Sequence, residues 1–209
     1  MINIENRAVA SLLAPYGIAP SAALFDQIRA YSDLLLRWNQ KISLTTVTDP
    51  AEIIRFHFGE SLFALSTLSP IAGRLADLGS GAGFPGLALK LAAPELHVTL
   101  IESNVKKTTF LSEVIRSLSL KNVEVFRGRL EDFPASRDPF TLVTARALGS
   151  HKHLLSWTHG HLVPKGRIAL WLGGEDVSTI SREPLWVWSR PSLIPATKSR
   201  FILAGYRSE

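Results

Sequence analysis

The sequence predicts an α/β protein with a doubly wound, mostly parallel sheet and a helical extension at its N-terminus. From Arg74 onward, short apolar segments alternate with amphipathic segments of about a dozen residues, the rhythm of parallel strands joined by right-handed helical crossovers. A glycine-rich loop follows the first of these strands, and the last two apolar segments have no helix between them. We therefore expect a helical extension over residues 1–70 and an α/β domain over residues 71–209.

Two amphipathic helices are expected in the extension. Within residues 21–39, apolar side chains recur at steps of three and four and form one face of a helix. A second helix is expected over residues 51–68, where Asp49 is a typical N-cap and Pro50 suits the first helical position. Packing of the first helix on the main domain is favoured over a face that docks a partner.

The elements of the α/β domain follow from short apolar runs bounded by polar or glycine-containing turns. Strands are expected over residues 74–79, 97–103, 122–128, 140–147 and 166–172, and helices over residues 84–93, 104–120 and 150–161. A turn at residues 163–166 should precede the fifth strand. The segments 184–190 and 200–206 should pair in antiparallel fashion and close one edge of the sheet.

Composition excludes several classes of protein. The 209 residues are 46% hydrophobic and 20% charged, which is typical of a globular protein and excludes disordered and fibrous chains. No apolar run approaches the roughly 18 residues of a membrane-spanning helix, and the first residues lack the apolar core of a secretion signal. We expect a cytoplasmic protein that does not contact a membrane.

The cysteine count and the charge limit the chemistry further. The chain has no cysteine, which excludes disulfides, thiolate metal sites and a cysteine nucleophile. The net charge is +5, and residues 71–209 hold eighteen Lys and Arg against twelve Asp and Glu. This excess predicts that the α/β domain meets any anionic partner.

The glycine loop matches two kinds of cofactor site. Gly81, Gly83 and Gly86 satisfy the GxGxxG pattern of dinucleotide-binding proteins. Glu102 ends the next strand about 20 residues later, where an acid that binds ribose hydroxyls is expected. Because the pattern is short, this match alone is weak.

The alternative uses Asp77 with the tighter spacing of Gly79, Gly81 and Gly83, which resembles the first motif of class I (Rossmann-like) S-adenosylmethionine-dependent methyltransferases. A carboxylate two residues before the loop would repel a pyrophosphate, whereas the methyl donor carries an ammonium and a sulfonium. The antiparallel tail also resembles the methyltransferase sheet. Asp77 therefore favours S-adenosyl-L-methionine over a dinucleotide.

Residues and motifs that are absent from the sequence limit the range of possible methyl acceptors. Methylation at pyrimidine carbon 5 requires a cysteine, and the Asn/Asp-Pro-Pro-aromatic turn of amino-group methyltransferases is replaced by residues 144–147. Guanine N7 needs neither, because its lone pair is exposed on the base edge. Arg146 at this strand end could orient the cofactor or the base, or it could instead form a structural salt bridge to Glu131 or Asp132.

Five ordered segments resemble the RsmG (GidB) family of bacterial methyltransferases. They comprise residues 38–45, 57–62, 75–91, 129–133 and 145–147. The resemblance implies S-adenosylmethionine-dependent methylation of N7 of guanine 527 in 16S ribosomal RNA, without a covalent enzyme intermediate. It also implies a small ribosomal subunit or an assembly intermediate as the partner, and we expect a monomer.

The resemblance and the loop pattern together define the expected site. By the resemblance, Gly79, Phe84, Leu130, Glu131 and Arg146 would contact the methyl donor, with Arg146 as the catalytic residue. The expected cofactor-binding set is completed by Asp77, Ser80, Gly81, Gly83 and Glu102. No metal is expected, because the histidines at 151, 153, 159 and 161 lack ligand spacing and include no acid.

Three departures from the family pattern accompany the resemblance. Ser43 stands where an asparagine is common, Glu60 where an aspartate is common, and Leu172 where a lysine is usual. Two other hypotheses stay open: a methyltransferase of small molecules, and an RNA-binding assembly factor without turnover. His57 is expected to be a core or capped histidine, with a functional role suggested only by the resemblance.

A phosphate track for RNA is a further hypothesis. Basic residues are expected near the carboxyl ends of the strands and the helices that these strands feed. They are Lys106, Lys107, Arg127, Arg129, Arg137, Arg146 and Lys152.

Overall fold

A computed structural model describes residues 5–134, 137–146 and 151–208, which form one eight-stranded sheet with helices on both faces. The strands are β1 (Arg74–Leu78), β2 (His97–Glu102), β3 (Val123–Arg127), β4 (Phe140–Arg146), β5 (Leu162–Gly173), β6 (Trp186–Trp188), β7 (Ser192–Leu193) and β8 (Arg200–Arg207). The helices are α1 (Asn6–Leu13), α2 (Ala22–Asn39), α3 (Pro50–Ile53), α4 (Glu60–Leu68), α5 (Gly86–Ala92), α6 (Val105–Ser117), α7 (His151–His161) and α8 (Gly174–Ile180). A π-helical segment, Ile54–Gly59, joins α3 to α4.

The sheet has the order β3-β2-β1-β4-β5-β8-β6, with β7 beside β8. Strands β1 to β5 pair in parallel, whereas β8 runs antiparallel to both β5 and β6. The predicted doubly wound sheet and its antiparallel edge are both confirmed. Ala147 of the fourth expected strand and Ser150 of the last expected helix lie outside the described residues.

The fifth strand begins earlier than expected. Its pairing with β4 jumps from Phe140–Leu162 to Leu142–Arg167, so the residues of the expected turn form an irregularity inside β5. Lys165 adopts φ +60° at this point. The prediction of a turn that precedes the fifth strand is therefore wrong, because residues 163–166 lie inside β5 as an irregularity of its pairing.

Successive side chains of each strand point alternately into two hydrophobic cores, one on each face of the sheet. Leu75 and Leu142 point into a core that includes helices α1 to α6, whereas Ala76 and Val143 point into a core covered by α7 and α8. This alternation with a period of two is the physical basis of the layered fold.

The N-terminal helices share the first core with the sheet. Ser21 caps α2, since its Oγ accepts a hydrogen bond from Leu24 N at 3.3 Å, and Asp49 caps α3 in the same way from Glu52 N at 2.9 Å. The predicted apolar face of α2 is buried, so its packing on the main domain is confirmed. The boundary between residues 70 and 71 stays a prediction.

The carboxyl ends of the parallel strands form the edge at which ligands bind in open α/β sheets. Leu78, Glu102, Arg127 and Arg146 end β1 to β4 at this edge. Within the described ranges, no helix combines the length and the apolar character that crossing a lipid bilayer requires.

Candidate active site

The glycine loop follows β1 in the backbone conformation that its sequence demands. Gly79, Gly81 and Gly83 have φ values of +64°, +56° and +86°, a region that side chains with a Cβ rarely adopt. A Cβ at Gly83 would overlap the hydroxyl of Tyr31, whereas a Cβ at Gly81 would meet only Gly79 O, 3.7 Å away. The backbone at Gly81 is thus open to a ligand, and Gly83 is needed for packing.

Asp77 lies beneath this loop with one oxygen that has no well-aligned donor among the described residues. Its Oδ1 accepts a hydrogen bond from Thr144 Oγ1 at 2.8 Å, while Oδ2 is buried and has no aligned partner among the described residues. Burial raises the pKa of the Asp77 carboxyl to about 6, against the opposing effects of hydrogen bonds from Thr144, Ser80 and the Gly86 backbone. A cationic group of a ligand near this carboxylate would stabilise its charged form, so the site fits the ammonium of the methyl donor.

Two further members of the expected set hold the loop in place. Glu102 Oε2 accepts a hydrogen bond from Gly81 N at 2.9 Å, and Oε1 accepts one from Asn104 N at 2.8 Å. Ser80 is buried, and its hydroxyl donates to the carbonyl of Asp77 at 2.8 Å. Each Glu102 oxygen keeps a second lone pair, which leaves capacity for a ribose hydroxyl.

Phe84 lies in a stack of rings at the end of the loop. Its ring packs in parallel against Tyr31 of α2 at 5.2 Å between centroids and against His57 at 4.9 Å. The Tyr31 hydroxyl donates to Ala82 O at 2.6 Å. The N-terminal helices therefore help to shape the glycine loop.

Arg146 ends β4 and points toward the π-helical segment. Its Nη1 donates to Phe56 O at 3.1 Å, its Nη2 lies 3.0 Å from His57 Nδ1, and its guanidinium lies 5.9 Å from the centre of the Phe84 ring. These partners replace the salt bridge to Glu131 or Asp132 that the sequence left open. Burial is the largest cause that lowers the pKa of Arg146.

His57 is a buried and neutral partner of Arg146. Burial and the charge of Arg146 lower its pKa to about 3, so the ring is uncharged at neutral pH. Because Nδ1 accepts from Arg146, Nε2 carries the proton and donates to Thr45 Oγ1 at 2.8 Å. The core position expected for His57 is confirmed, and the structure adds its contact with Arg146. π-Helical turns are often found at functional sites, and this one positions His57.

A cavity of about 660 Å³ opens beside Arg146 at the ends of β4 and β5. Its polar lining combines two arginines, two acids and two histidines with an apolar floor. These polar residues are His57, Glu60, Arg146, His151, Asp176 and Arg200, and the floor includes Ala145, Leu170, Trp171 and Leu172. Such a volume suits a single base or a small molecule.

Leu172 is part of the apolar wall of this cavity. The side chain is 7% exposed, and no cation takes its place within β5. Arg167, at the other end of the strand, donates to Leu68 O and Pro70 O, both at 2.6 Å. Two cations flank this position in the sheet, since Arg146 of β4 pairs with Trp171 and Arg200 of β8 pairs with Gly173.

Leu130 and Glu131 lie in a single turn of 3-10 helix after β3, at the same edge as the loop. The carbonyl of Leu130 accepts a hydrogen bond from Trp157 Nε1 at 2.8 Å, and Glu131 Oε1 lies 3.4 Å from His153 Nε2. His151 lies 3.8 Å from Asp176. Within the described residues no group of three His, Cys, Asp or Glu side chains is arranged to hold a metal ion.

One residue of the hypothetical phosphate track is misplaced. Arg137 precedes β4, so it lies at the amino edge of the sheet, where its Nη1 pairs with Glu124 at 2.6 Å. Arg146 ends β4 at the carboxyl edge, where it lines the cavity and donates to Phe56 O. The remaining members end or follow β2, β3 and β4 at the carboxyl edge; they are Lys106, Lys107, Arg127, Arg129 and Lys152.

Three residues of the site were not singled out for a role by sequence reasoning. His57, Glu60 and Arg200 lie far from the glycine loop along the chain, and they reach the site only through the packing of the π-helical segment, α4 and β8 on the sheet. The only indication of these residues in the sequence was the segment 57–62, which contributed to the family resemblance.

The comparisons with known proteins agree with this geometry. The profile of the GidB family, rRNA small subunit methyltransferase G, matches residues 25–183. Proteins named ribosomal RNA small subunit methyltransferase G from Desulfitobacterium hafniense and Roseiflexus castenholzii are 43% and 40% identical over 63% and 68% of this chain. The chain spans 56% and 62% of the length of these two relatives.

Solved structures are similar in fold at low identity. A SAM-dependent methyltransferase from Aquifex aeolicus superposes with a TM-score of 0.63 and 17% identity, over 77% of this chain and 94% of the other. This likeness establishes the class I methyltransferase fold.

Proposed function

Because this chain belongs to the GidB family of rRNA small subunit methyltransferases G, we propose that it transfers a methyl group from S-adenosyl-L-methionine to N7 of guanine 527 in 16S ribosomal RNA. The observation that supports this proposal most strongly is that the expected cofactor site and the cavity adjoin each other at Arg146 and Phe84. The glycine loop with the buried Asp77 carboxylate beneath it lies on one side, and the cavity beside Arg146 lies on the other.

The methyl donor would be held by residues at the carboxyl edge of β1 to β4. Asp77 would favour its ammonium, the open backbone at Gly81 would admit it, and Glu102 would accept its ribose hydroxyls. Phe84, Leu130 and Glu131 would complete the contacts around it. Gly79, Ser80 and Gly83 would act by shaping the loop.

When bound, the donor supplies an electrophilic methyl group: the lone pair of guanine N7 forms the new bond to carbon as the carbon–sulfur bond breaks, and the positive charge passes from sulfur to the purine. No proton moves, so the chain needs no general base. Arg146, oriented by His57 and Phe56 O, would fix the base and the donor in line. The chain has no cysteine that could form a covalent intermediate.

The substrate we propose is 16S RNA within the small subunit or an assembly intermediate, met by a monomer in the cytoplasm. The basic residues at the carboxyl edge support contact with phosphates. If RNA is the substrate, binding should weaken steeply with salt, with a slope of about −0.7 in log–log terms for each single-stranded phosphate contact. Lys106→Ala should reduce that slope by about one such contact.

Single-turnover transfer of a labelled methyl group to small subunits that lack the modification tests the proposal. We expect one methyl per particle. A transfer rate that does not change with salt concentration, or transfer only to small molecules, would instead favour a small-molecule methyltransferase. Cofactor binding without transfer would favour an assembly factor.

A further inference from the structure

Glu60 places a carboxylate with unused hydrogen-bonding capacity in the cavity beside Arg146. It begins α4 directly after the π-helical segment, and only 2% of the residue is exposed. Its backbone is fixed, because Glu60 O accepts a hydrogen bond from Trp171 Nε1 at 2.9 Å. The residue is thus held rigidly at the wall of the cavity.

The carboxylate of Glu60 is paired with one cation and keeps acceptor positions that no other described residue fills. Arg200 Nη2 lies 2.6 Å from Oε1 and occupies one acceptor position, and no second N–H or O–H group of the described residues donates to that oxygen. An ionised carboxylate has about four lone-pair sites, and leaving them empty in a buried position is costly. A ligand that brings N–H donors would therefore be favoured at this point.

Guanine supplies donors of the required kind. Its N1–H and its N2 amino group lie side by side on the Watson–Crick edge, so one carboxylate can accept from both. Adenine presents an unprotonated N1 at the same place, which a carboxylate repels. Guanine N7 lies on the opposite side of the purine, so this contact leaves N7 free to meet the methyl group.

The charge of Glu60 also suits the product. Methylation at N7 makes the purine cationic, while the cavity already holds Arg146 and Arg200 as cations. His57 adds no third positive charge, because it is neutral at physiological pH. Burial raises the pKa of the Glu60 carboxyl, while the charges of Arg200 and Arg146 lower it. In its ionised form Glu60 is the buried anion of this group and opposes the charge that develops on the base.

Resting on the proposed function, we propose that Glu60 is the specificity-determining residue that recognises the N1–H and N2 amino group of the target guanine. Arg200 holds the carboxylate, and Trp171 holds the start of α4. The cavity is therefore the binding site of a guanine taken out of its base stack.

The test compares small subunits reconstituted around 16S RNA that carries guanosine or inosine at the target position, since inosine lacks the N2 amino group and keeps N7. We expect wild-type protein to methylate the inosine particle roughly 10- to 100-fold less efficiently, in proportion to the lost hydrogen bond to a charged acceptor. Filter binding in the presence of S-adenosylhomocysteine should show the same preference in affinity without turnover.

Variants assign this preference to one side chain. Glu60→Gln should reduce the penalty for inosine to about fivefold or less, because a neutral acceptor makes a weaker bond. Glu60→Asp should retain the penalty, since it keeps the carboxylate. Asp176→Asn removes another acid of the same cavity and should leave the penalty unchanged.

The outcomes separate this inference from the proposed function. If the wild-type protein methylates neither particle, the proposed function fails. If it methylates guanosine and inosine particles equally well, or if Glu60→Gln keeps the full penalty, the role of Glu60 is overturned while the methyltransferase stands. Insensitivity of the wild-type protein decides the matter even if the Gln variant does not fold.

Discussion

Asp77 should make the affinity for the methyl donor depend on pH, and Asp77→Asn should abolish that dependence. Burial raises the pKa of the carboxyl to about 6, so at pH 5 about nine in ten molecules carry a protonated Asp77. If binding requires the charged form, affinity at pH 5 falls about tenfold from its value at pH 7.5. His57, with a pKa of about 3, stays neutral throughout this range.

Isothermal titration with S-adenosylhomocysteine at several pH values measures the effect, because this ligand keeps the ammonium and cannot react. The wild-type protein should also release a proton on binding near pH 5, as the ligand pulls Asp77 into its charged form. Asp77→Asn keeps an oxygen for Thr144 and should bind with the weak, pH-independent affinity of the protonated site. Thr144→Val removes a hydrogen bond that lowers the pKa, so its midpoint should move to higher pH.

Two results would refute this reasoning. The first is an Asn variant that binds as tightly as the wild-type protein at pH 7.5. The second is a wild-type affinity that does not change between pH 7.5 and pH 5. Either would mean that the carboxylate shapes the loop without attracting the ligand.

Three other substitutions test the surroundings of the site. His57 has a lowered pKa in the folded state, so its contribution to stability is present above pH 6.5 and lost as pH falls; because the raised pKa of Asp77 acts in the opposite direction, the quantity to compare is the difference between variants, and urea unfolding should show that between pH 7.5 and pH 5 the wild-type protein loses about 2 kcal/mol relative to His57→Gln. Arg146→Lys keeps the charge but lacks the planar fork, so single-turnover transfer should slow by at least about tenfold while circular dichroism stays unchanged; full activity would leave Arg146 with a packing role only. Tyr31→Phe loses the bond to Ala82 O and should cost about 1 kcal/mol in unfolding and several-fold in S-adenosylhomocysteine affinity. Tyr16→Phe is the matched control, because that buried hydroxyl has no hydrogen-bond partner among the described residues, and a similar loss there would contradict the role given to Tyr31.

Local patterns predicted the sheet and the glycine loop. Strands β1 to β5 carry apolar runs between turn residues, and Gly79, Gly81 and Gly83 stand where a left-handed backbone is needed. Because these features depend only on residues close together in the sequence, they can be predicted without a structure. The N-caps Ser21 and Asp49 are of the same kind.

The contacts that build the candidate site could not be predicted from the sequence, because they are tertiary contacts between distant residues. Arg146 meets His57 across 89 positions, and Arg200 meets Glu60 across the packing of β8 on α4, and no periodicity signals either pair. The π-helical turn at Ile54–Gly59 has no sequence signature of its own, although it sets the direction of His57. The prediction placed Arg137 at the wrong edge of the sheet. Between two parallel strands the chain returns to the amino edge before β4, and the positions of charged residues along the sequence do not show this.

The most direct test of the central claim is the identity and position of the methylated nucleoside. Unmodified small subunits and free 16S RNA would be incubated with labelled S-adenosyl-L-methionine, digested with nuclease and analysed by mass spectrometry. The account predicts N7-methylguanosine at guanine 527, formed in at least one of the two substrates. Label on another atom or another base, or no label although the protein binds S-adenosylhomocysteine, would contradict it.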